Sequence, residues 1–386
     1  MHRYFVTLAL GSAGAYPCGR TAPMCGSQPN SSSISLLVKI GPMYALIRSL
    51  LFLLDAEASH HVALVALRGL GMLPGTIRPL PCEARTVMGL CFANPIGVAA
   101  GLDKDAVAVE GLARLGFGFV EVGTVTPRPQ AGNPRPRLFR IPEQNALINR
   151  MGFNNAGAQE MARRLSSIRE RGRLKDTRLG VNIGKNKDTP LVRAVDDYRL
   201  AMQAVYEFAD YLTLNLSSPN TPGLRTLQSG DAFLNLLDGV SEERHTLTQR
   251  HGVRVPLVLK VAPDLSHEEL ERIADAARTF EVDGLIATNT TIARPEMEGC
   301  KHALEAGGLS GAPLAPLALR TVAGLSELTA GSLPIIASGG IWGPIEAQAM
   351  LDHGASLLQI YTGFIYRGPA LLRELVEMCG VAGKAQ

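Results

Sequence analysis

From residue 95 onward the chain repeats one pattern eight times: a short, nearly unbroken apolar run ends in Gly, Asn, Thr or Ser, and a helical stretch follows. The runs are Pro95 to Gly101, Phe119 to Thr126, Leu179 to Asn186, Tyr211 to Ser218, Pro256 to Ala262, Gly284 to Thr290, Leu333 to Gly340 and Ser356 to Gly363. Continuous apolar strands alternating with helices predict a parallel sheet covered on its outside. Eight such units at this length predict an α/β fold of the (β/α)8 or TIM barrel type. The alternative is an open doubly wound sheet, which usually carries a glycine fingerprint after its first strand; no G-x-G-x-x-G opens a helix here.

Upstream, Met43 to Leu54 and His60 to Leu70 predict two short helices. The longest apolar stretch there, Val62 to Leu67, has six residues, far below the roughly 20 needed to span a bilayer. The pair reads either as packing on the main domain or as an amphipathic hairpin lying in a membrane interface. Residues 1–42 contain no Asp or Glu, many Ser, and the basic residues Arg3, Arg20 and Lys39. Tyr4 to Leu10 imitates a secretory signal and the acid-free composition a transit peptide. Neither pattern is complete, and a disordered extension is expected. The expected organisation is this extension at 1–42, a helical hairpin at 43–75 and a barrel at 76–386.

Composition narrows the function classes. With 46% hydrophobic and 19% charged residues among 386, the chain is globular. A net charge of +3 offers no basic field, so no nucleic-acid partner is expected. The cysteines at 18, 25, 82, 91, 300 and 379 form no C-x-x-C and no metal-ligand spacing, so no metal is expected and the thiols read as reduced.

In such barrels the active site lies where the strands end. The run ends here are unusually polar: Lys104 follows the first, Thr124 closes the second, Asn182 lies in the third, and Asn215, Ser217, Ser218 and Asn220 follow the fourth. Lys260 sits inside the fifth, Thr288 to Thr291 end the sixth, and Ser338-Gly339-Gly340 and Tyr361-Thr362-Gly363 close the last two. The glycines after runs seven and eight suit a phosphorylated ligand held by backbone N–H groups, although each pair alone only marks a turn. Lys260 is costly to bury without an anion or electron-rich acceptor; a structural ion pair and a Schiff-base aldolase lysine are the other readings. Asn149, Asn182, Asn215, Asn220 and Asn289 each offer a donor and an acceptor, which suits a neutral cyclic amide or imide.

At these motifs the sequence resembles dihydroorotate dehydrogenase, a family of FMN flavoproteins of pyrimidine synthesis, in its quinone-dependent class 2 form. The resemblance runs from about Met43 to the C-terminus. Its most specific pieces are Ala-Ala-Gly-Leu-Asp-Lys at 99–104, Gly-Thr-Val-Thr-Pro-Arg-Pro-Gln at 123–130 and Asn-Arg-Met-Gly-Phe-Asn-Asn at 149–155. The others are Asn-Ile-Gly-Lys-Asn at 182–186, Asn-Leu-Ser-Ser-Pro-Asn-Thr-Pro-Gly-Leu-Arg at 215–225 and Gly-Gly-Leu-Ser-Gly at 307–311. Two features depart from the pattern: the extension before Met43, and Ser338, where an apolar or smaller residue is usual.

The resemblance implies that FMN is held by Ala100, Gly101, Lys104, Thr124, Asn182, Asn215, Lys260, Thr288, Gly311, Gly340, Tyr361 and Thr362. It implies a pyrimidine site of Lys104, Asn149, Arg150, Met151, Gly152, Phe153, Asn215, Asn220, Asn289 and Thr290, oxidising dihydroorotate to orotate. Ser218 would take the proton from C5 as hydride leaves C6 for the flavin, under a lid at Pro219 to Gly223. Class 1 relatives, which use other acceptors, carry Cys there. The two helices become the ubiquinone entrance, with Arg48 and Arg68 near lipid head groups. The implied location is peripheral, on the cytoplasmic face of the inner membrane, or at the mitochondrial inner membrane in a eukaryote, and the implied state is a monomer.

Overall fold

The computed structural model describes residues 43–382 apart from Pro222 and Ser229; the extension at 1–42 lies outside the described residues. Eight parallel strands close into a barrel. They are β1 (Ile96–Val98), β2 (Phe119–Val125), β3 (Arg178–Ile183), β4 (Tyr211–Asn215), β5 (Leu257–Val261), β6 (Gly284–Ala287), β7 (Ile335–Ser338) and β8 (Ala355–Ile360). Each lies within one of the eight apolar runs, save that β3 and β8 begin one residue earlier, and they pair in chain order, with β8 returning to β1. The open-sheet alternative is thereby excluded. The outer helices bury one apolar stripe each. His267–Thr279, for example, starts with a capping box between Ser266 and Glu269 and buries Leu270, Ile273 and Ala277 against the strands.

The barrel interior is layered by the period of two along each strand. At the bottom, Phe119, Tyr211, Val258, Ile286, Ile336 and Leu357 form one apolar cluster. A hairpin outside the barrel, Arg85–Val87 with Leu90–Phe92, plugs this end by adding Val87 and Phe92 to the cluster. Its turn uses Met88 and Gly89, both at positive φ. Two residues further along the same strands come Glu121, Thr213, Lys260, Thr288, Ser338 and Gln359, so polar groups begin one layer above the plug. Glycines make room for the large rings: a Cβ on Gly180 would lie 2.2 Å from the Tyr211 ring, and one on Gly97 would lie 2.3 Å from that of Phe119.

Two helices precede the barrel, α1 (43–52) and α2 (Ala56–Met72). Asp55 caps α2 by accepting from the backbone N–H of Glu57 and Ala58. The helix packs closely on Val109–Arg114, where a Cβ on Gly111 would sit 1.9 Å from the Leu67 carbonyl. Its Glu57 pairs with buried Arg137 at 2.7 Å, and Arg140 donates to Ser59 Oγ and to the carbonyls of Phe52 and Leu54. The Arg48 guanidinium donates to the Tyr366 carbonyl at 2.9 Å. A three-stranded antiparallel sheet, Leu138–Ile141, Ala146–Asn149 and Gly308–Gly311, stands over the barrel mouth and has no counterpart among the apolar runs.

The layering predicts that Gly180→Ala, which forces a methyl into the Tyr211 ring, destabilises the protein by about 1–3 kcal/mol. Chemical denaturation checks this, and an unchanged midpoint would contradict the packing.

Candidate active site

The strand ends and the antiparallel sheet enclose a cavity that is partly open to solvent. Among the residues expected from sequence, Ala100, Gly101, Lys104, Thr124, Asn149, Met151, Gly152, Phe153, Asn215, Ser218, Asn220 and Lys260 line it. So do Thr288, Asn289, Thr290, Gly311, Gly340, Tyr361 and Thr362. Two expected residues do not. Asn182 is fully buried beneath the floor, and Arg150 turns outward to pair with Glu305 at 2.6 Å and to stack on Phe139. Sequence reasoning missed His60, Leu138, Leu147, Ser310, Leu314 and Gln359, which also line the cavity. Gln359 had a signal: it is the one carboxamide in the apolar stretch Leu357-Leu-Gln-Ile.

The floor is organised by Glu121, which is fully buried. Its Oε1 accepts from Asn182 Nδ2 at 2.8 Å; its Oε2 accepts from Tyr211 OH at 3.0 Å and from Gln359 Nε2 at 2.7 Å. Burial and the neighbouring carboxylate push the Tyr211 phenol well above its ordinary pKa, so it stays a donor. Lys260 lies in register between Asn215 and Ile286, buried, with its pKa lowered by burial against the opposing pull of Glu121.

Above the floor the carboxamides interlock. Thr124 Oγ1 donates to Asn182 Oδ1 at 2.5 Å and accepts from Asn215 Nδ2 at 2.8 Å. Asn289 Nδ2 donates to Asn215 Oδ1 at 3.3 Å and Ser217 Oγ at 3.0 Å, while Asn220 Nδ2 donates to Asn149 Oδ1 at 3.2 Å. Ser218 is buried at the edge of this cluster, and its Oγ accepts from the Asn220 N–H at 3.2 Å. Arg225 ties the loop down by donating to the Ser217 and Thr290 carbonyls and pairing with Asp264 at 2.8 Å. Of the expected lid, Pro222 lies outside the described residues.

Lys104 stands on the opposite wall, with Nζ 3.1 Å from the Gly101 carbonyl. Burial pushes its pKa down to about 8; Arg137 adds repulsion, and Asp105, Glu57 and Asp103 pull the other way. The loop carrying it is shaped by Asp103, whose carboxylate accepts from the N–H groups of Val107 and Ala108. At the ends of β7 and β8, Gly339 and Gly340 have φ of 113° and 74°. A Cβ on Gly340 would lie 2.2 Å from Ala315 Cα, so the backbone is bare at this wall.

A second, apolar cavity opens between α1, α2 and the barrel. Leu51, Val62, Ala63, Leu67 and Phe364 are among its walls, and Arg140 and Arg48 are its guanidinium groups. His60, Leu138, Leu147 and Tyr361 belong to both cavities, so the two meet there. Burial and Lys104 push the His60 pKa down to about 4, against Glu57, so the ring is neutral at working pH. Among the described residues no group of His, Cys, Asp and Glu could hold a metal ion.

A family model for dihydroorotate dehydrogenase matches residues 83–379. A protein of Methylococcus capsulatus named dihydroorotate dehydrogenase (quinone) is 56% identical over 333 residues, covering 86% of this chain and 96% of that protein. One of the same name from Paraburkholderia phymatum is 51% identical over 338 residues, covering 87% and 97%. Among solved structures, DHODH of Eimeria tenella in complex with ferulenol aligns with a TM-score of 0.80 at 42% identity, over 86% of this chain and 92% of that one. Its ligand-free form aligns with a TM-score of 0.78 at 43% identity, over 84% and 95%.

Proposed function

The chain belongs to the dihydroorotate dehydrogenase family, and from that premise we propose that it is the quinone-dependent enzyme, oxidising dihydroorotate to orotate on a bound FMN in pyrimidine biosynthesis. The observation that carries this reading is the meeting of two cavities: a polar one lined by Lys104, Ser218 and five carboxamides, and an apolar one reaching it between the N-terminal helices.

The pocket fits a flavin on its own chemistry. Gln359 Oε1 is buried without a partner, and Lys260 makes no hydrogen bond among the described residues, so the floor offers an acceptor and an ammonium whose donors the protein itself leaves unused. A ring with adjacent N–H and C=O groups matches both. Thr124, Asn215, Lys260 and Thr288 would hold the ring from below, Ala100, Gly101 and Tyr361 from the side, and Gly311, Gly340 and Thr362 the phosphate. Asn182 would act through Thr124. When bound, FMN supplies the hydride acceptor.

The substrate carboxylate would pair with the Lys104 ammonium, and Asn149, Asn215, Asn220 and Asn289 would read the ring amides, beside Met151, Gly152, Phe153 and Thr290. Ser218 Oγ would take the C5 proton as its own hydroxyl proton passes to a water of the partly open pocket, with the Asn220 N–H fixing one lone pair. The Schiff-base reading of Lys260 falls with family membership in a dehydrogenase. Quinone would enter the apolar cavity and reach the flavin past His60 and Tyr361. No helix among the described residues is long and apolar enough to cross a membrane. Leu50 and Leu53, 59% and 83% exposed, supply an apolar face for peripheral attachment to the inner membrane. The protein would work there as a monomer.

Ser218→Ala should keep flavin and substrate binding while slowing flavin reduction by about 10²–10⁴-fold. Single-turnover bleaching measures this, and a wild-type rate would make Ser218 structural. Because Lys104 loses its proton as pH rises through about 8, orotate affinity should fall above that pH. Calorimetry should find this slope absent in Lys104→Met. The double variant Leu50→Glu, Leu53→Glu should lower vesicle binding and turnover with long-chain quinone by about tenfold while sparing flavin reduction. Flotation and steady-state assays decide, and unchanged vesicle binding would return the helices to a packing role.

A further inference from the structure

A carboxylate has no proton to give, so any group hydrogen-bonded to it must present a donor. Glu121 is therefore a fixed point from which the polarity of the pocket can be traced. Asn182 must turn Nδ2 toward Glu121, which leaves Oδ1 to accept from Thr124. Thr124 has then spent its proton and must accept from Asn215 Nδ2. The remaining Asn215 oxygen faces Asn289 Nδ2, whose own Oδ1 accepts from the Thr290 N–H. Gln359 likewise turns its nitrogen down to Glu121 and its oxygen away from it. Each carboxamide has one orientation compatible with this chain. Reversing any one would set two donors or two acceptors against each other, at the cost of a lost and an unsatisfied buried bond.

The same carboxylate is the charge that acts on Lys260, with no other ionisable side chain opposing its burial. Besides Lys260, the ionisable groups facing the pocket are Lys104, His60 and Tyr361, and Tyr211 is the one that contacts Glu121.

We propose that Glu121 is the positioning residue of the site: from below the floor it orients Asn182, Thr124, Asn215 and Asn289, and it is the counter-charge to Lys260 in the same interior layer of the barrel. This inference rests on the flavin reading and deepens it. It assigns the substrate-reading asparagines a direction that their own sequence positions leave free.

The test is Glu121→Gln in the holoenzyme, an isosteric change that replaces an acceptor with a donor and removes the charge. The Michaelis constant for dihydroorotate should rise about tenfold or more, as one misdirected carboxamide costs. The pH titration of the flavin absorbance should move to lower pH, as Lys260 loses its counter-charge, and the transition should vanish in Glu121→Gln/Lys260→Met. A titration and a Michaelis constant that superimpose on wild type, in a protein that still holds flavin, would overturn the proposal. A protein with no flavin would overturn the flavin reading instead. If Glu121→Gln does not fold, Lys260→Met reads the pairing from the other side. The Lys260→Met holoenzyme should lack the flavin transition that wild type shows on pH titration, and a persisting transition would overturn the counter-charge.

Discussion

A buried carboxylate that can only accept hydrogen bonds sets the terms for everything above it in this barrel. Leaving Glu121 ionised beside the apolar plug would be prohibitive without partners. Three donors and the field of a buried lysine offset that cost, and two of the donors, Asn182 and Gln359, connect it upward to the pocket. The layer of Tyr211 and Phe119 below excludes water, which keeps those interactions strong. A rigid, dry floor is what a flat ring needs, because its affinity and potential depend on groups that do not reorganise as its charge changes.

The walls have a different logic. The polar pocket and the apolar cavity share His60, Leu138, Leu147 and Tyr361, so a ring bound between them can be met by a polar substrate from one side and an apolar oxidant from the other. Keeping the helices at the right distance is the task of Glu57 with Arg137, of Arg140 with Ser59, and of the close approach at Gly111. Arg137 also repels Lys104, so the anchoring of the helices and the electrostatics of the substrate site are coupled through one guanidinium.

The barrel was legible in the sequence because strands buried on both faces leave continuous apolar runs, and all eight matched. The antiparallel sheet over the mouth was not: its strands have four residues each, and Gly308–Gly311 reads as a turn until Ala146–Asn149 supplies its partner. The rim residues could be found because they follow the runs, whereas Glu121 lay hidden inside one. In Phe-Val-Glu-Val-Gly the acid shares the parity of Phe119, a position that looks like a packing error until Lys260 and Gln359 are seen to share its layer. Arg150 shows the limit of motif reading. It sits in the specific stretch Asn149 to Phe153, yet successive residues alternate sides, and the guanidinium points to Glu305. Roles such as that of Ser218 came from resemblance; its surroundings give it burial and one hydrogen bond, which alone would not single it out.

The most direct measurement is an anaerobic double-mixing experiment on the purified protein, following flavin absorbance after adding dihydroorotate and then a ubiquinone. The account predicts a yellow protein that bleaches with one equivalent of dihydroorotate and recovers its colour with one equivalent of quinone. A colourless protein, or a yellow one that dihydroorotate leaves unbleached, would contradict it.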